Sequence, residues 1–116
     1  MPKPDQKYQV FYFQTGNTNS IIKFLTKLPQ TTQAKIRNTI RLIKKFGPLT
    51  GPPHIKFLKT HKPLFEIRIL GTNSIRLIAF QESKKIILLH IFKKKAQSIP
   101  FRELKTALKR FQKIKS

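Results

Sequence analysis

The chain contains no cysteine, so neither a disulfide nor a thiolate metal site can form. Carboxylates are nearly as scarce: Asp5, Glu66, Glu82 and Glu103 stand beside three scattered histidines, His54, His61 and His90. A protein-held metal centre needs several such ligands converging, and this supply argues against one. No apolar run reaches the ~18 residues of a membrane-spanning helix. The opening residues, MPKPDQKYQV, contain no apolar signal region, so a cytoplasmic protein is expected. There is no Gly-rich phosphate loop, GTNS being too short for one, and no Ser-His-Asp or Cys-His set. Nucleotide hydrolysis and acyl transfer are poorly supported, and no cofactor is implied.

What is abundant is positive charge. Against 4 Asp and Glu stand 25 Lys and Arg, a formal net charge of +21 on 116 residues. Self-repulsion of that size opposes a compact monomer and points to a polyanionic or acidic partner. Nucleic acid fits best, with an affinity that falls steeply with salt. A merely solvated basic surface is one alternative. A membrane surface is another, but it would need a helix with a strong apolar face beside its lysines, and no membrane partner is expected. The 39% hydrophobic content and the length support a single folded domain over residues 1–116, with residues 1–7 loose.

The organising stretch runs from Leu64 to Lys95. It reads LFEIRIL, GTNS, IRLIAFQ, ESKK and IILLHIFKKK, apolar segments divided by short punctuation, as in consecutive antiparallel strands. Ahead of it, Tyr8 to Gln14 is aromatic and β-branched and reads as a strand. Asn19 or Ser20 caps a short helix over Ile21 to Leu28. A second helix is expected from Pro29 to Phe46, with Ile36, Ile40, Ile43 and Phe46 as its apolar stripe and Gly47-Pro48 as its stop. Its opposite face carries Lys35, Arg37, Arg41, Lys44 and Lys45, either as a solvated face or as an RNA contact. Residues 47–63 are Pro-rich and basic, with a short strand at Ile55 to Leu58 and the cations Lys56, Lys59 and Lys62. A last helix follows Ser98-Ile99-Pro100, with Phe101, Leu104, Leu108 and Phe111 facing the core and Glu103 in its first turn. The predicted fold class is α+β: a small antiparallel sheet with two N-terminal helices and a C-terminal helix.

Charged residues set into these strands carry the chemistry. Cleaving RNA with side chains alone requires a base for the 2′-hydroxyl, cations for the phosphorane oxygens and an acid for the departing 5′-oxygen. Arg68 and Arg76 suit the second task, since a guanidinium fork matches two phosphate oxygens. A three-residue loop at Gly71 to Asn73 puts them opposite each other on one face, with Glu66 and Ile78. A four-residue loop through Ser74 puts them on opposite faces unless a bulge intervenes. For proton transfer the candidates are His90, Lys94 and Lys95, His90 being read first as a histidine packed on the sheet and hydrogen-bonded to backbone. Lys93 to Lys95 otherwise read as phosphate contacts, and His54 and His61 as bystanders. Glu66 reads as the partner of an arginine or, less readily, as a base. Phe92 reads as core or as a stacking platform for a base.

These residues resemble the RelE/HigB superfamily of toxins from type II toxin–antitoxin systems, in its phage-derived HigB-like branch. The resemblance runs from Tyr8 to Phe111 and rests on LFEIR, IRLIAF and LLHIFKKKAQSIP followed by FRELKTALKR, with LPQTTQAKIRNTIRLIKKFGPL as the helical lead-in. It implies a small RelE-like toxin that cleaves mRNA on the translating ribosome and so inhibits translation. It also implies a helix-turn-helix antitoxin as partner and contact with operator DNA only through that antitoxin. By motif it points to Arg68, Arg76, Lys94 and Lys95 as active residues, with His90 at the LLH position. Ile75 stands where the branch often has tyrosine, and Tyr8 and Tyr12 are the only tyrosines, so the C-terminal tyrosine of some relatives has no counterpart. ParE-like members of the superfamily poison gyrase instead, and a non-catalytic basic nucleic-acid-binding module is the remaining alternative.

Overall fold

A computed structural model describes residues 7–71, 74–95 and 98–116. The segment expected to be loose lies outside the described residues as far as residue 6. Thr72 and Asn73 of the turn between the arginines lie outside them too, as do Ala96 and Gln97. The elements are β1 (Gln9–Tyr12), α1 (Ser20–Thr26), α2 (Gln30–Phe46), β2 (Ile55–Phe57), β3 (Phe65–Arg68), β4 (Ile75–Glu82), β5 (Lys85–Lys93) and α3 (Phe101–Lys115). A 3-10 turn, Gly47–Thr50, follows α2. The class is α+β, compatible with a RelE-like fold, and the five strands lie in the order β1-β5-β4-β3-β2.

The sheet is mixed rather than wholly antiparallel, because β1 runs parallel to β5 with Gln9 opposite Lys85 and Tyr12 opposite Leu88. Helices α1 and α2 carry the chain from one edge of the sheet to the other. Three successive reversals then return β5 alongside β1 in the same direction.

Alternation along the strands sends side chains to two cores. On one face Ile67, Ile75, Leu77, Ile86, Leu88 and Ile91 pack with Ile21, Ile36, Ile40 and Ile43. On the other, Leu64, Ile78, Phe80, Leu89 and Phe92 pack with Ala107, and Leu104, Leu108 and Phe111 close over them. Phe111 meets Phe80 edge-on with ring centroids 4.9 Å apart. Each fully buried Leu, Ile or Phe contributes about 1.5–3 kcal/mol, so the two faces dominate stability.

Local signals place the helices. The Asn19 side chain accepts a hydrogen bond from the Ile22 amide at 3.1 Å, so Asn19 and not Ser20 caps α1. At the end of α2, Gly47 has φ 58°, and a Cβ there would lie 2.5 Å from the Tyr8 ring. Two residues expected in core stripes are instead exposed. Phe46 is 44% exposed, with the Lys45 ammonium 5.5 Å from its ring. Phe101 is 74% exposed, although Leu104 in the same turn of α3 packs on the core.

Candidate functional site

The register decides the question that the turn left open. Arg68 on β3 pairs directly with Arg76 on β4, and Glu66 pairs with Ile78. Both arginines therefore lie on the α3 side of the sheet. On the other flank of β3, Lys56 of β2 is the cross-strand partner of Glu66. The Glu66 side chain is 1% exposed. Its Oε1 accepts from Arg68 Nε at 3.0 Å, and its Oε2 lies 3.6 Å from Lys94 Nζ, an ion pair too long for a hydrogen bond. A carboxylate this deeply buried is tolerated because cations surround it. Glu66 is thus the partner of an arginine, as one of its two readings had it, and of a lysine as well. Bonding through Nε leaves the terminal nitrogens of Arg68 for another acceptor. Arg76 donates from one terminal nitrogen to the Ile75 carbonyl at 3.0 Å, while its buried Nε has no partner.

Strand alternation splits the lysine run. Lys94 donates its amide to the Ser74 carbonyl at 2.9 Å and sends its side chain, 8% exposed, to the face of Glu66. Lys93 and Lys95 are exposed and line a different groove with Lys23 of α1 and Lys27, which caps the C-terminus of that helix. Lys95, expected with the arginines, is therefore separated from them by the same alternation that brings Lys94 in. Lys56, Lys59, His61, Glu66, Lys94 and Ser98 line a groove of about 470 Å³. His61, read from sequence as a bystander, is in that groove, its Nδ1 2.9 Å from the Thr60 hydroxyl. Lys62 faces another hollow, between Pro48, Phe57 and Pro63.

His90 sits on the arginine face for an unexpected reason. The β4–β5 register shifts between Ile78 and Ala79, so Ile78 opposes His90 while Ala79 opposes Leu88. Leu89 is the extra residue of a β-bulge, and Leu89 and His90 both turn toward α3. There His90 Nε2 is 2.8 Å from Glu103 Oε1 and Nδ1 is 3.4 Å from an Arg110 terminal nitrogen. Its pKa is lowered, first by burial and then by the Arg110 charge, with the Glu103 hydrogen bond opposing. Both ring nitrogens are engaged by α3, and the ring stacks on Phe92 at 5.7 Å. Phe92 is 3% exposed and belongs to the core, the first of its two readings.

Arg110 stands in the sequence as one cation among many on the last helix, with nothing to mark it out. It donates to the Leu89 carbonyl at 2.7 Å and to the Ser20 hydroxyl at 3.0 Å, and lies over the Phe13 ring at 5.2 Å. It thereby ties α3 to the bulge and to α1. No pattern signals this, because the contacts span 21 and 90 residues. Among the described residues no group of three or more His, Asp or Glu is placed to hold a metal ion.

The model of the phage-derived protein Gp49-like family matches residues 23–112. The chain belongs to that family. The matched span runs from within α1 to within α3 and holds every cation of both grooves, and β1 alone among the described strands precedes it. Membership in the Gp49-like family is consistent with a toxin of a toxin–antitoxin system. No curated protein matches the chain, and no described helix is long and apolar enough to cross a membrane.

Proposed function

We propose that this Gp49-like protein is the toxin of a type II toxin–antitoxin pair and cleaves mRNA on the translating ribosome. The observation that carries the reading is the pairing of Arg68 with Arg76 on one face, beside Lys94 and a buried carboxylate. Two arginines paired across neighbouring strands bring two guanidinium forks to one face, where they suit the oxygens of one phosphodiester, and Glu66 holds Arg68 through its Nε. The 2′-oxygen attacks phosphorus and gives up its proton, the bond from phosphorus to the 5′-oxygen breaks, and that oxygen takes a proton. The products are a 2′,3′-cyclic phosphate and a 5′-hydroxyl. His61 and Lys94, which line one groove, are the groups for proton transfer, since an imidazole both accepts and donates. Lys56 and Lys59 hold the flanking phosphates. A helix-turn-helix antitoxin is the proposed neutralising partner, with operator DNA bound through it.

Primer extension on an mRNA in a translating extract tests this. Wild type makes discrete cuts, and Arg68→Ala and Arg76→Ala each lower their rate about 10²–10³-fold. Cutting that survives both substitutions refutes the site. A second reading, a gyrase-directed or purely RNA-binding member of the fold, is favoured by the engagement of both His90 ring nitrogens with α3. Intact mRNA despite growth arrest supports the gyrase branch.

A further inference from the structure

β1 pairs with β5 only over Lys85 to Leu88, and the Phe13 amide closes that ladder on the Leu88 carbonyl at 2.8 Å. Beyond Leu88 no described strand lies against the outer edge of β5. Since the Lys94 amide faces β4, alternation turns the main-chain groups of Ile91 and Lys93 toward the open edge. The edge is the floor of a groove of about 690 Å³ between α1 and the first turn of α3. Lys23, Lys27, Lys93, Lys95 and Arg102 line it. Lys23 of α1 and its C-cap Lys27, which keeps a right-handed helical conformation, are four residues apart and both reach this groove. The one carboxylate in the groove, Glu103, is held by His90. Glu103 also lies 3.9 Å from Arg102 and so offsets that one cation. The other described side-chain carboxylates pair outside the groove, Glu66 with Arg68 and Glu82 with Lys115, and leave Lys23, Lys27, Lys93 and Lys95 without an ion pair among the described residues.

We infer that this groove is a second phosphate-binding site, which receives the nucleic-acid single strand as it leaves the arginine face. The inference rests on the RNA-binding reading above and extends it to residues that reading does not use. Continuity supports it. Lys94 points to the arginine face while its neighbours Lys93 and Lys95 point into the groove, so the two sites meet at the end of β5 within about 7 Å of backbone. A duplex is too stiff to turn from one face of a sheet to the other over that distance, whereas a single strand bends round it. Ammonium groups beside α1 and at the end of β5, a guanidinium on the α3 wall and outward amides on the floor bind phosphate oxygens and read no sequence.

The test is fluorescence anisotropy with a labelled, uncleavable 2′-O-methyl oligouridylate, titrated at several salt concentrations. Lys23→Gln/Lys27→Gln weakens binding and reduces the slope of log affinity against log salt by about 1.4, about 0.7 for each phosphate no longer neutralised. Lys105→Gln/Lys109→Gln removes equal charge from exposed positions of α3 outside the groove and leaves the slope unchanged. All four positions are exposed, so unchanged melting is expected and is checked for each variant. Equal slopes for wild type and the groove variant overturn the proposal, as does an equal loss in both variants. Arg68→Ala/Arg76→Ala separates the two readings. If it abolishes binding while the groove variant binds normally, the arginine site stands and the groove fails. If only the groove variant loses affinity, the groove stands and the arginine reading fails. If the oligouridylate is unaffected but an acidic peptide loses its hold on the groove variant, the edge takes a peptide strand and the proposal is overturned.

Discussion

Replacing Glu66 with glutamine isolates the interaction at the centre of the site. The substitution keeps size and shape but removes the charge from a residue with no exposed surface. Two cations then lose their counterion. Lys94 is 8% exposed and suffers most, while Arg68 is 30% exposed and is partly compensated by water. Breaking a buried pair costs about 3–5 kcal/mol when the remaining charge stays dry. The glutamine carbonyl still accepts from Arg68 Nε, which recovers part of a charged hydrogen bond worth about 1.5–3 kcal/mol. The expected cost of Glu66→Gln is therefore about 2–4 kcal/mol. Lys94→Met leaves Glu66 with Arg68 and puts an apolar chain where an ammonium was, so it costs about 1–2 kcal/mol. Because the two side chains form one ion pair, the double variant is less destabilised than the sum of the single variants by about 1 kcal/mol or more. Urea titrations of the four proteins measure these differences, provided the slope with denaturant is constant. A Glu66→Gln cost below about 0.5 kcal/mol, or strict additivity with Lys94→Met, would refute the ion-pair account, since coupled neighbours depart from additivity by more than that.

Further expectations concern the turn after α2, the bulge histidine and the groove. Gly47→Ala strains a positive φ and drives a methyl into the Tyr8 ring. Gly51→Ala, at φ 63° with its nearest neighbour 3.7 Å away, carries the conformational cost alone. Denaturation midpoints should place Gly47→Ala about 1–3 kcal/mol below that control. The lowered pKa of His90 means that the unfolded chain binds the proton more tightly. Its stabilising effect is complete above the unfolded value of about 6.5 and is lost as pH falls through the lower folded value. Stability measured across that window should fall less steeply with acid in His90→Gln, and an unchanged slope would show that burial of this imidazole does not matter. His61→Gln should slow mRNA cleavage about 10²–10⁴-fold with little change in melting. Undiminished cleavage would remove His61 from the reaction.

Much of the architecture was legible because period and punctuation act locally. The three segments of LFEIRIL to IILLHIFKKK became β3, β4 and β5, the Gly47-Pro48 stop ended α2, and Pro100 preceded α3. The direction of β1 was not legible, because pairing between residues 9 and 85 depends on how many reversals intervene. Phe46 and Phe101 had helical spacing yet remained exposed, since spacing selects a helix face without saying where the opposing surface ends.

The candidate site divides in the same way. Residue types in a row are written in the chain: arginine on two neighbouring strands, a lone glutamate two residues before one of them, and lysines at the end of the third. From these followed the expectation of an anion and the choice of Arg68 and Arg76 over the other cations. Three-dimensional packing assigned each side chain to a face. The β3–β4 register set the arginines together, and a single bulge at Leu89 turned His90 into the grip of α3. Alternation sent Lys94 to Glu66 and Lys95 away from it, while the loop after β2 brought His61 to the groove. The physical reason is that helix and strand preferences act over a few residues, whereas a one-residue change in register moves a side chain to the other side of the sheet.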